Sequence, residues 1–206
     1  MQKAAAKKTA GQAILTSVDW IKHFNTALLA TRCRIGKRTV PLQEGLDAVA
    51  ELLAATREAD NSLWWVGNGG SAGLCAHLSQ DALNKLKVRS LVLADAPLLT
   101  CMANDFGYAE VYERPLRTLT RAGDMLIGVS SSGNSENILR CARMARERGM
   151  KLVTLSAFGE DNALWRSEAD VAFHVPTRLY GHAEVGHEAL LHSVLETMML
   201  REQTWR

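Results

Sequence analysis

The stretch LWWVGNGGSAGLCAHLSQDAL, residues 63–83, contains the pattern that decides the fold. Four apolar residues, 63–66, predict a buried strand, and a glycine-rich loop, GNGGS at 67–71, follows it directly. From Ala72 the pattern becomes helical. Parallel α/β folds place ligands at such a turn, because glycines let backbone N–H groups approach a ligand and the start of a helix attracts anions.

Four further apolar runs outside this stretch are typical of buried strands. They begin at Leu91, Met125, Lys151 and Val171, and turn residues or helical patterns separate them. Five buried strands that alternate with helices predict an α/β fold. Its core is a doubly wound, five-stranded parallel sheet flanked by helices.

Helical patterns occupy both ends of the chain. Apolar residues recur at helical spacing over 11–32, and after a Gly-Lys-Arg break a second helical pattern covers 41–56. These two segments predict an N-terminal helical hairpin. Another helix is predicted over 137–149, and a long amphipathic helix over 184–204.

Length and composition indicate one domain. The chain has 206 residues, of which 47% are hydrophobic and 22% are charged, which is enough for one sizeable core. No low-complexity linker divides the chain. Residues 11–206 are therefore predicted to form a single domain, with 1–10 as a flexible, lysine-containing tail.

Charge and hydropathy exclude several classes of partner. The formal net charge is only +2 and the basic residues are scattered, so we expect no nucleic acid as a partner. No apolar run is long enough for a membrane span, and the N-terminus lacks the apolar segment of a signal peptide. A cytoplasmic protein without membrane contact is predicted. The four cysteines form no CxxC pair, so reduced and mostly buried thiols are expected.

A second loop repeats the features of the first. SSSGNS, residues 130–135, follows the predicted strand at Met125 and leads into a helix. Serine hydroxyls beside free backbone N–H groups suit a phosphate monoester. The alternative is an N-cap serine with neighbours exposed to water. The first loop, taken alone, is explained equally well by a tight turn.

Two pairs of side chains could bind a metal ion. His77 and Asp81 are four residues apart and share a helix face. Glu184 and His192, eight apart, lie loosely on one side of the last predicted helix. Together they offer nitrogen and oxygen ligands suited to zinc and, less selectively, to other divalent metals. Each pair alone also fits an ordinary surface hydrogen bond. His187, five residues before His192, could support the metal ligands from behind, but its position favours a helix-surface histidine.

Four segments, in their order along the chain, resemble a known family. They are GNGGS at 67–71, MANDFGY at 102–108, RAGDMLIGV at 121–129 and SSSGNS at 130–135. This combination is similar to the sugar isomerase (SIS) domain and, within it, to the phosphoheptose isomerases. The resemblance covers most of the chain. It implies the SIS fold with N-terminal helices, assembled as a homotetramer whose active sites lie between subunits.

The resemblance implies a sugar phosphate as the substrate. In the family, serines of both loops hold the phosphate, and a segment like MANDFGY lies near the sugar hydroxyls. By matching position, the implied substrate-binding residues are Asn68, Gly69, Gly70, Ser71, Asn104, Asp105, Ser130, Ser131, Ser132 and Ser135. From the residues alone, Asn104 and Asp105 fit a capped turn equally well.

The resemblance also implies a zinc-dependent aldose-ketose isomerase. In the family, the helix after GNGGS carries a histidine and, four residues later, a glutamate, and the last helix carries a glutamine and, eight later, a histidine. Here these metal positions hold His77, Asp81, Glu184 and His192. Asp81 would be the catalytic base and His192 the acid. Asp81 is shorter than the family's glutamate, and Glu184 adds a negative charge.

Two classes of function follow from these observations. The first is an isomerase of sedoheptulose 7-phosphate, or of another phosphosugar, that supplies heptose for lipopolysaccharide or a secondary metabolite. The second is a non-catalytic phosphosugar-binding regulator or a scaffold of the replication-initiation type, whose members lack the first-helix carboxylate and the last histidine. Asp81 and His192 are present here, which favours the enzyme.

Overall fold

The structure is a computed structural model that describes residues 16–203, so the predicted tail at 1–10 lies outside it. Within this range the α-helices are Ser17–Leu29 (α1), Leu42–Glu58 (α2), Gly70–Leu86 (α3), Ala96–Phe106 (α4), Glu113–Leu119 (α5), Glu136–Glu147 (α6) and Tyr180–Glu202 (α7). The strands are Arg32–Ile35 (β1), Arg38–Val40 (β2), Ser62–Val66 (β3), Arg89–Val92 (β4), Met125–Ser130 (β5), Lys151–Ser156 (β6) and Val171–His174 (β7).

One mixed sheet forms the centre of the molecule, with strand order β2-β1-β7-β6-β5-β3-β4. The five strands from β7 to β4 are parallel to one another, as predicted. β1 and β2 form a hairpin, and β1 pairs antiparallel with β7. The predicted five-stranded parallel sheet is thus extended to seven strands in the described part of the chain.

The predicted N-terminal helical hairpin is wrong, because this β-hairpin separates α1 from α2. The Gly-Lys-Arg break begins its turn, with Gly36 at φ +56. Cys33 and Val40 pair across the hairpin and are both buried, whereas Arg32 is exposed. The strands have only four and three residues, too few for alternation to be recognised in the sequence. Pairing with β7 supplies the hydrogen bonds that select the extended conformation.

Helices cover both faces of the sheet, and adjacent tryptophans on β3 mark the two sides. Trp65 belongs to the core on the α2, α3 and α7 side, with Leu53, Leu78 and Leu195. Trp64 belongs to the core on the α5 and α6 side. Successive strand residues point to opposite faces, so both tryptophans are core residues, as predicted.

α3 and α7 pack side by side on the face of the sheet that carries Trp65. α7 begins at Tyr180 and ends at Glu202, so it starts four residues before the predicted bound at 184. α3 begins directly after the first glycine-rich loop. Residues on the facing sides of these two helices can therefore converge on one site.

The cysteines are free thiols, as predicted. Cys33, Cys75 and Cys141 are buried, whereas Cys101 is exposed on α4. Burial raises the pKa of the Cys33 thiol to about 12. This thiol stays protonated at neutral pH and is unreactive.

Apolar side chains remain exposed on α1 and α4, neither of which contains a buried residue. α1 contacts α7 through Trp20, whose ring centroid lies 4.4 Å from that of His182. Val18 and Ile21, on the same helix, are 58% and 57% exposed. Among the helices of residues 16–203, none combines the length and apolar character that crossing a bilayer requires.

Candidate active site

The two predicted anion-binding loops meet at the carboxyl ends of β3 and β5, which are neighbours in the sheet. With the start of α7 they enclose a small pocket of about 150 Å³, here called the serine pocket. It is lined by Asn68, Ser71, Val129, Ser130, Ser131, Ser132, Ser135, Tyr180 and Glu184. The serines of both loops thus surround a single space.

Glycine is needed in the first loop for its conformation and for close packing. Gly69, immediately before α3, has φ +55. A Cβ at Gly67 would lie 2.7 Å from the carbonyl oxygen of Ser71. The loop turns tightly, since the Ser71 amide donates to the Asn68 carbonyl at 3.0 Å. A helix that starts this way leaves backbone N–H groups without partners within the helix, which favours a nearby anion.

Hydroxyl groups of the second loop converge on the same pocket. Ser130 Oγ donates to Ser135 Oγ at 3.1 Å, and Gly133, at φ +65, makes the turn between them. Ser131 Oγ is buried and has no hydrogen-bond partner among the described residues. An unpaired buried hydroxyl costs about 1–3 kcal/mol. A bound ligand with oxygen acceptors would recover that cost.

Hydrogen bonds between amide side chains join the two loops. Asn68 and Asn137 exchange bonds of 3.0 and 2.8 Å, and the hydroxyl of Tyr108 donates to Asn68 Oδ1 at 3.0 Å. The hydroxyl of Tyr112 donates to the Gly67 carbonyl at 2.7 Å. Sequence analysis missed Asn137, Tyr108 and Tyr112. The two asparagines are 69 positions apart, so local spacing carries no signal for their contact.

A second group of side chains lies between α3 and α7. His77, Asp81 and His192 each offer a ligand atom within 4.8 Å of the others. His192 Nδ1 is buried, has no hydrogen-bond partner within residues 16–203 and lies 3.5 Å from Asp81 Oδ2. Two imidazoles and one carboxylate form a donor set that fits Zn²⁺. The unpartnered nitrogen of His192 is a group that a metal ion would engage.

Asp81 also has a cationic neighbour on its own helix. Lys85 Nζ lies 2.8 Å from Asp81 Oδ2, and the two side chains are only 17% and 9% exposed. The same ammonium group lies 3.8 Å from Glu196 Oε1. A metal ion held by this cluster would share the Asp81 carboxylate with Lys85.

Glu184 lies away from this three-residue cluster and lines the serine pocket. A Cβ at Gly70 would lie 2.3 Å from Glu184 Oε1, so the carboxylate packs against the first turn of α3. Eight residues of helix span about 12 Å, which separates Glu184 from His192 along α7. The assignment of Glu184 as a metal ligand stays a prediction.

Glu188 is the acidic residue that contacts the cluster, and the sequence analysis missed it. Its Oε1 lies 2.9 Å from His77 Nδ1 and 3.8 Å from His192 Nε2. The available signal was its position four residues before His192, the same spacing that relates His77 to Asp81.

Asn104 and Asp105 are exposed at the end of α4 and do not line the serine pocket. Asn104 Nδ2 donates to Asp105 Oδ1 at 2.9 Å, and the Cys101 thiol lies 3.4 Å from Asp105 Oδ2. Their role in substrate binding stays a prediction.

His187 is completely buried, so its interpretation as a helix-surface residue is wrong. Its Nε2 lies 3.0 Å from the Ser156 carbonyl oxygen, at the end of β6. Burial lowers its pKa from 6.5 to about 4. The imidazole is therefore neutral at pH 7 and, since a carbonyl oxygen only accepts, Nε2 is the donor of this bond.

Sequence comparisons place this architecture among known proteins. The SIS domain family matches residues 30–157. The phosphoheptose isomerase of Pelobacter propionicus is 35% identical over 156 residues, which cover 73% of this chain and 81% of that protein. The phosphoheptose isomerase of Helicobacter pylori is 34% identical, with 80% of this chain and 88% of that protein covered.

Solved structures show the same relationship. A phosphoheptose isomerase from Neisseria gonorrhoeae superposes with a TM-score of 0.77 at 27% identity, and the match covers 88% of this chain and 95% of that one. The sugar isomerase domain of an RpiR transcription factor from Sphaerobacter thermophilus superposes with a TM-score of 0.61 at 25% identity, covering 90% and 88%. Since the SIS domain matches most of the chain and curated relatives exceed 30% identity over most of their length, this protein belongs to the SIS family of phosphoheptose isomerases.

Proposed function

We propose that this protein is a metal-dependent isomerase that interconverts sedoheptulose 7-phosphate and an aldose heptose 7-phosphate. The observation that carries the proposal is that α3 connects two chemically different sites. Its N-terminus borders the serine pocket, and its next turns carry His77 and Asp81 beside His192. Ser71 and Asp81 are ten residues apart, a rise of about 15 Å. An extended sugar phosphate has its phosphate and carbonyl at opposite ends and suits such a separation.

Phosphate binding is assigned to the serine pocket. The N-terminus of α3 at Gly70, the hydroxyl of Ser71 and the hydroxyls of the second loop would donate hydrogen bonds to the phosphate oxygens. The buried hydroxyl of Ser131 gains a partner in this arrangement. Anchoring the phosphate orients the rest of the sugar toward the residues between α3 and α7.

Proton transfer is assigned to Asp81 and His192. Isomerisation moves a proton between C1 and C2 of the sugar, with a second proton exchanged between the two oxygens. We assign the carbon-bound proton to the Asp81 carboxylate as base and the oxygen-bound proton to the His192 imidazole as acid. Zinc bound by His77, Asp81 and His192 would supply positive charge close to the sugar oxygens.

A homotetramer is part of the proposal. α1 and α4 contain no buried residue, and Val18 and Ile21 are more than half exposed. Contact with further copies of the chain would remove this apolar surface from water. Residues 11–206 are proposed as the single domain, acting in the cytoplasm on a precursor of surface polysaccharide.

The direct test is turnover of sedoheptulose 7-phosphate by the purified protein, with and without added zinc, together with its metal content. Stoichiometric metal and turnover that is lost in Asp81→Ala and His192→Ala would support the proposal. Asp47→Ala, at a half-exposed carboxylate of α2, is the control and should retain activity. Metal without turnover would indicate a different phosphosugar.

The second candidate is a phosphosugar-binding regulator without catalysis. The contact that favours it is Lys85–Asp81, because the ammonium group 2.8 Å from Asp81 Oδ2 occupies a carboxylate oxygen that a catalytic base would need free. The serine pocket would still bind a phosphate in such a protein. Absence of both metal and turnover, with phosphosugar binding retained, would support this candidate.

A further inference from the structure

Glu188 stands outside the ligand positions that the family pattern implies, yet its carboxylate contacts both histidines of the cluster. We propose that Glu188 is a positioning residue for the metal site, holding His77 in the orientation and tautomer that a metal ligand requires. The inference rests on the proposed metal-dependent function and names a residue that this function has not used.

The contact places one oxygen between two imidazoles. Glu188 Oε1 lies 2.9 Å from His77 Nδ1 and 3.8 Å from His192 Nε2. Glu188 is one helical turn before His192 on α7, and His77 reaches it from α3. The Glu188 side chain is 33% exposed, so it is only partly screened by water. Contacts with both helices make it a link across the metal site.

The chemistry of this pair determines which nitrogen of His77 can bind a metal. An ionised carboxylate only accepts hydrogen bonds, so Nδ1 must carry the proton in its bond to Glu188. In the neutral ring Nε2 then carries the lone pair and is the available ligand atom. A carboxylate behind a histidine ligand also fixes the orientation of the ring, and removal of such a partner typically weakens metal binding about 10–100-fold.

Glu184 provides the contrast on the same helix. It lies one turn before Glu188, a rise of about 6 Å, and its carboxylate packs against Gly70 at the serine pocket. In this structure the Glu188 carboxylate contacts the histidines, whereas the Glu184 carboxylate lines the serine pocket.

The test is the affinity of the full chain for Zn²⁺, measured by competition with a chromophoric chelator. In Glu188→Ala we expect the dissociation constant to rise about 10–100-fold. In Glu188→Gln we expect a smaller rise, because the amide oxygen still accepts the Nδ1–H bond but carries no charge. Glu196→Gln, at a half-exposed carboxylate of α7 one turn beyond His192, is the matched control and should stay within about threefold of the wild type. The melting temperature of each zinc-free variant, measured in chelator, checks folding.

The order of zinc affinities among the variants decides whether the inference holds. Partial rescue by glutamine over alanine, with unchanged melting temperatures, supports a positioning role, since a merely structural residue would change both quantities together. Glu188→Ala with wild-type zinc affinity, or an equal loss in Glu196→Gln, would overturn the inference. A wild-type chain that binds no zinc would overturn both this inference and the metal-dependent function. Zinc binding without turnover would contradict the proposed reaction alone.

Discussion

At the scale of single residues, Asp81 and Lys85 form an ion pair that is largely removed from water. The side chains are 9% and 17% exposed. Removing one partner of a buried pair leaves an uncompensated charge and is strongly destabilising, whereas an exposed pair contributes little. The pair thus affects both the stability of the fold and the availability of the carboxylate to a metal ion.

Replacing Lys85 tests its effect on both fold stability and the availability of the Asp81 carboxylate. For Lys85→Met in zinc-free protein we expect the free energy of unfolding to fall by about 1–3 kcal/mol. Zinc should restore part of the loss, because it gives the Asp81 carboxylate a new cation. Urea unfolding with and without zinc measures both effects. Arg38→Met is the control, since its pair with Glu44 has side chains 65% and 43% exposed; a larger loss there would contradict the argument.

Ser131 allows stability and ligand binding to be separated. Its hydroxyl is buried and unpartnered among the described residues, so Ser131→Ala should leave stability unchanged or slightly higher. If the hydroxyl binds phosphate, KM for the sugar phosphate should rise about tenfold, the loss of one hydrogen bond to a charged group.

A second unpartnered hydroxyl provides the control for this experiment. Thr154 Oγ1 is also buried and has no hydrogen-bond partner in the described part of the chain, but it lies within β6 and outside the serine pocket. Thr154→Val should leave KM unchanged. Equal KM values for Ser131→Ala and the wild type would remove Ser131 from the phosphate site.

At the scale of secondary structure elements, a buried histidine joins α7 to β6. His187 Nε2 donates to the Ser156 carbonyl at 3.0 Å, and burial lowers the His187 pKa from 6.5 to about 4. The unfolded chain binds a proton near pH 6.5 and the folded protein only near pH 4. The unfolded state therefore gains protons first as the pH falls. The stabilisation that neutral His187 contributes is complete above about pH 6.5 and decreases from there toward about pH 4.

The pH dependence of unfolding tests this link. Between about pH 7 and about pH 5, His187 should account for a loss of roughly 2 kcal/mol in the free energy of unfolding. His187→Leu should lower stability at neutral pH, because the Ser156 carbonyl loses its donor, but should reduce the pH dependence by that amount. Chemical denaturation at both pH values measures the difference. If the free energy of unfolding changes equally with pH in the wild type and in His187→Leu, the acid sensitivity belongs to other groups. His174 is one of them, because burial also lowers its pKa.

At the scale of the whole molecule, the proposed homotetramer can be tested at the exposed face of α1. Val18→Glu combined with Ile21→Glu places two charges on apolar positions that are 58% and 57% exposed. In a single chain such positions tolerate charge, but in a tetramer they would bury it. We expect dissociation into smaller species in light scattering coupled to size-exclusion chromatography, with helix content unchanged by circular dichroism. Lys22→Glu, on the same helix, is the control. Equal molecular masses for the wild type, the double variant and this control would place the interface elsewhere.

Most of the parallel core could be predicted from the sequence. The strand at Leu63–Val66 is a continuous apolar run, and its glycine-rich loop leads into a helix, so local pattern determines both. That both loops serve one phosphate was implied only by the family resemblance, and the structure brings the two loops together because β3 and β5 are neighbours in the sheet. His77, Asp81 and His192 were found from helical spacing and family resemblance, and the structure brings them within 4.8 Å.

The features that could be read from the sequence alone are local in origin: the parallel strands, the two loops predicted to bind an anion and the helix face that carries His77 and Asp81. The tertiary structure decided that residues 32–40 extend the sheet, because pairing with β7 selects short strands that have no pattern of their own. It also decided that Glu188 reaches the histidines while Glu184 faces the serine pocket. That choice depends on how far α7 is shifted along α3, a property of packing between distant segments that spacing within either helix does not encode.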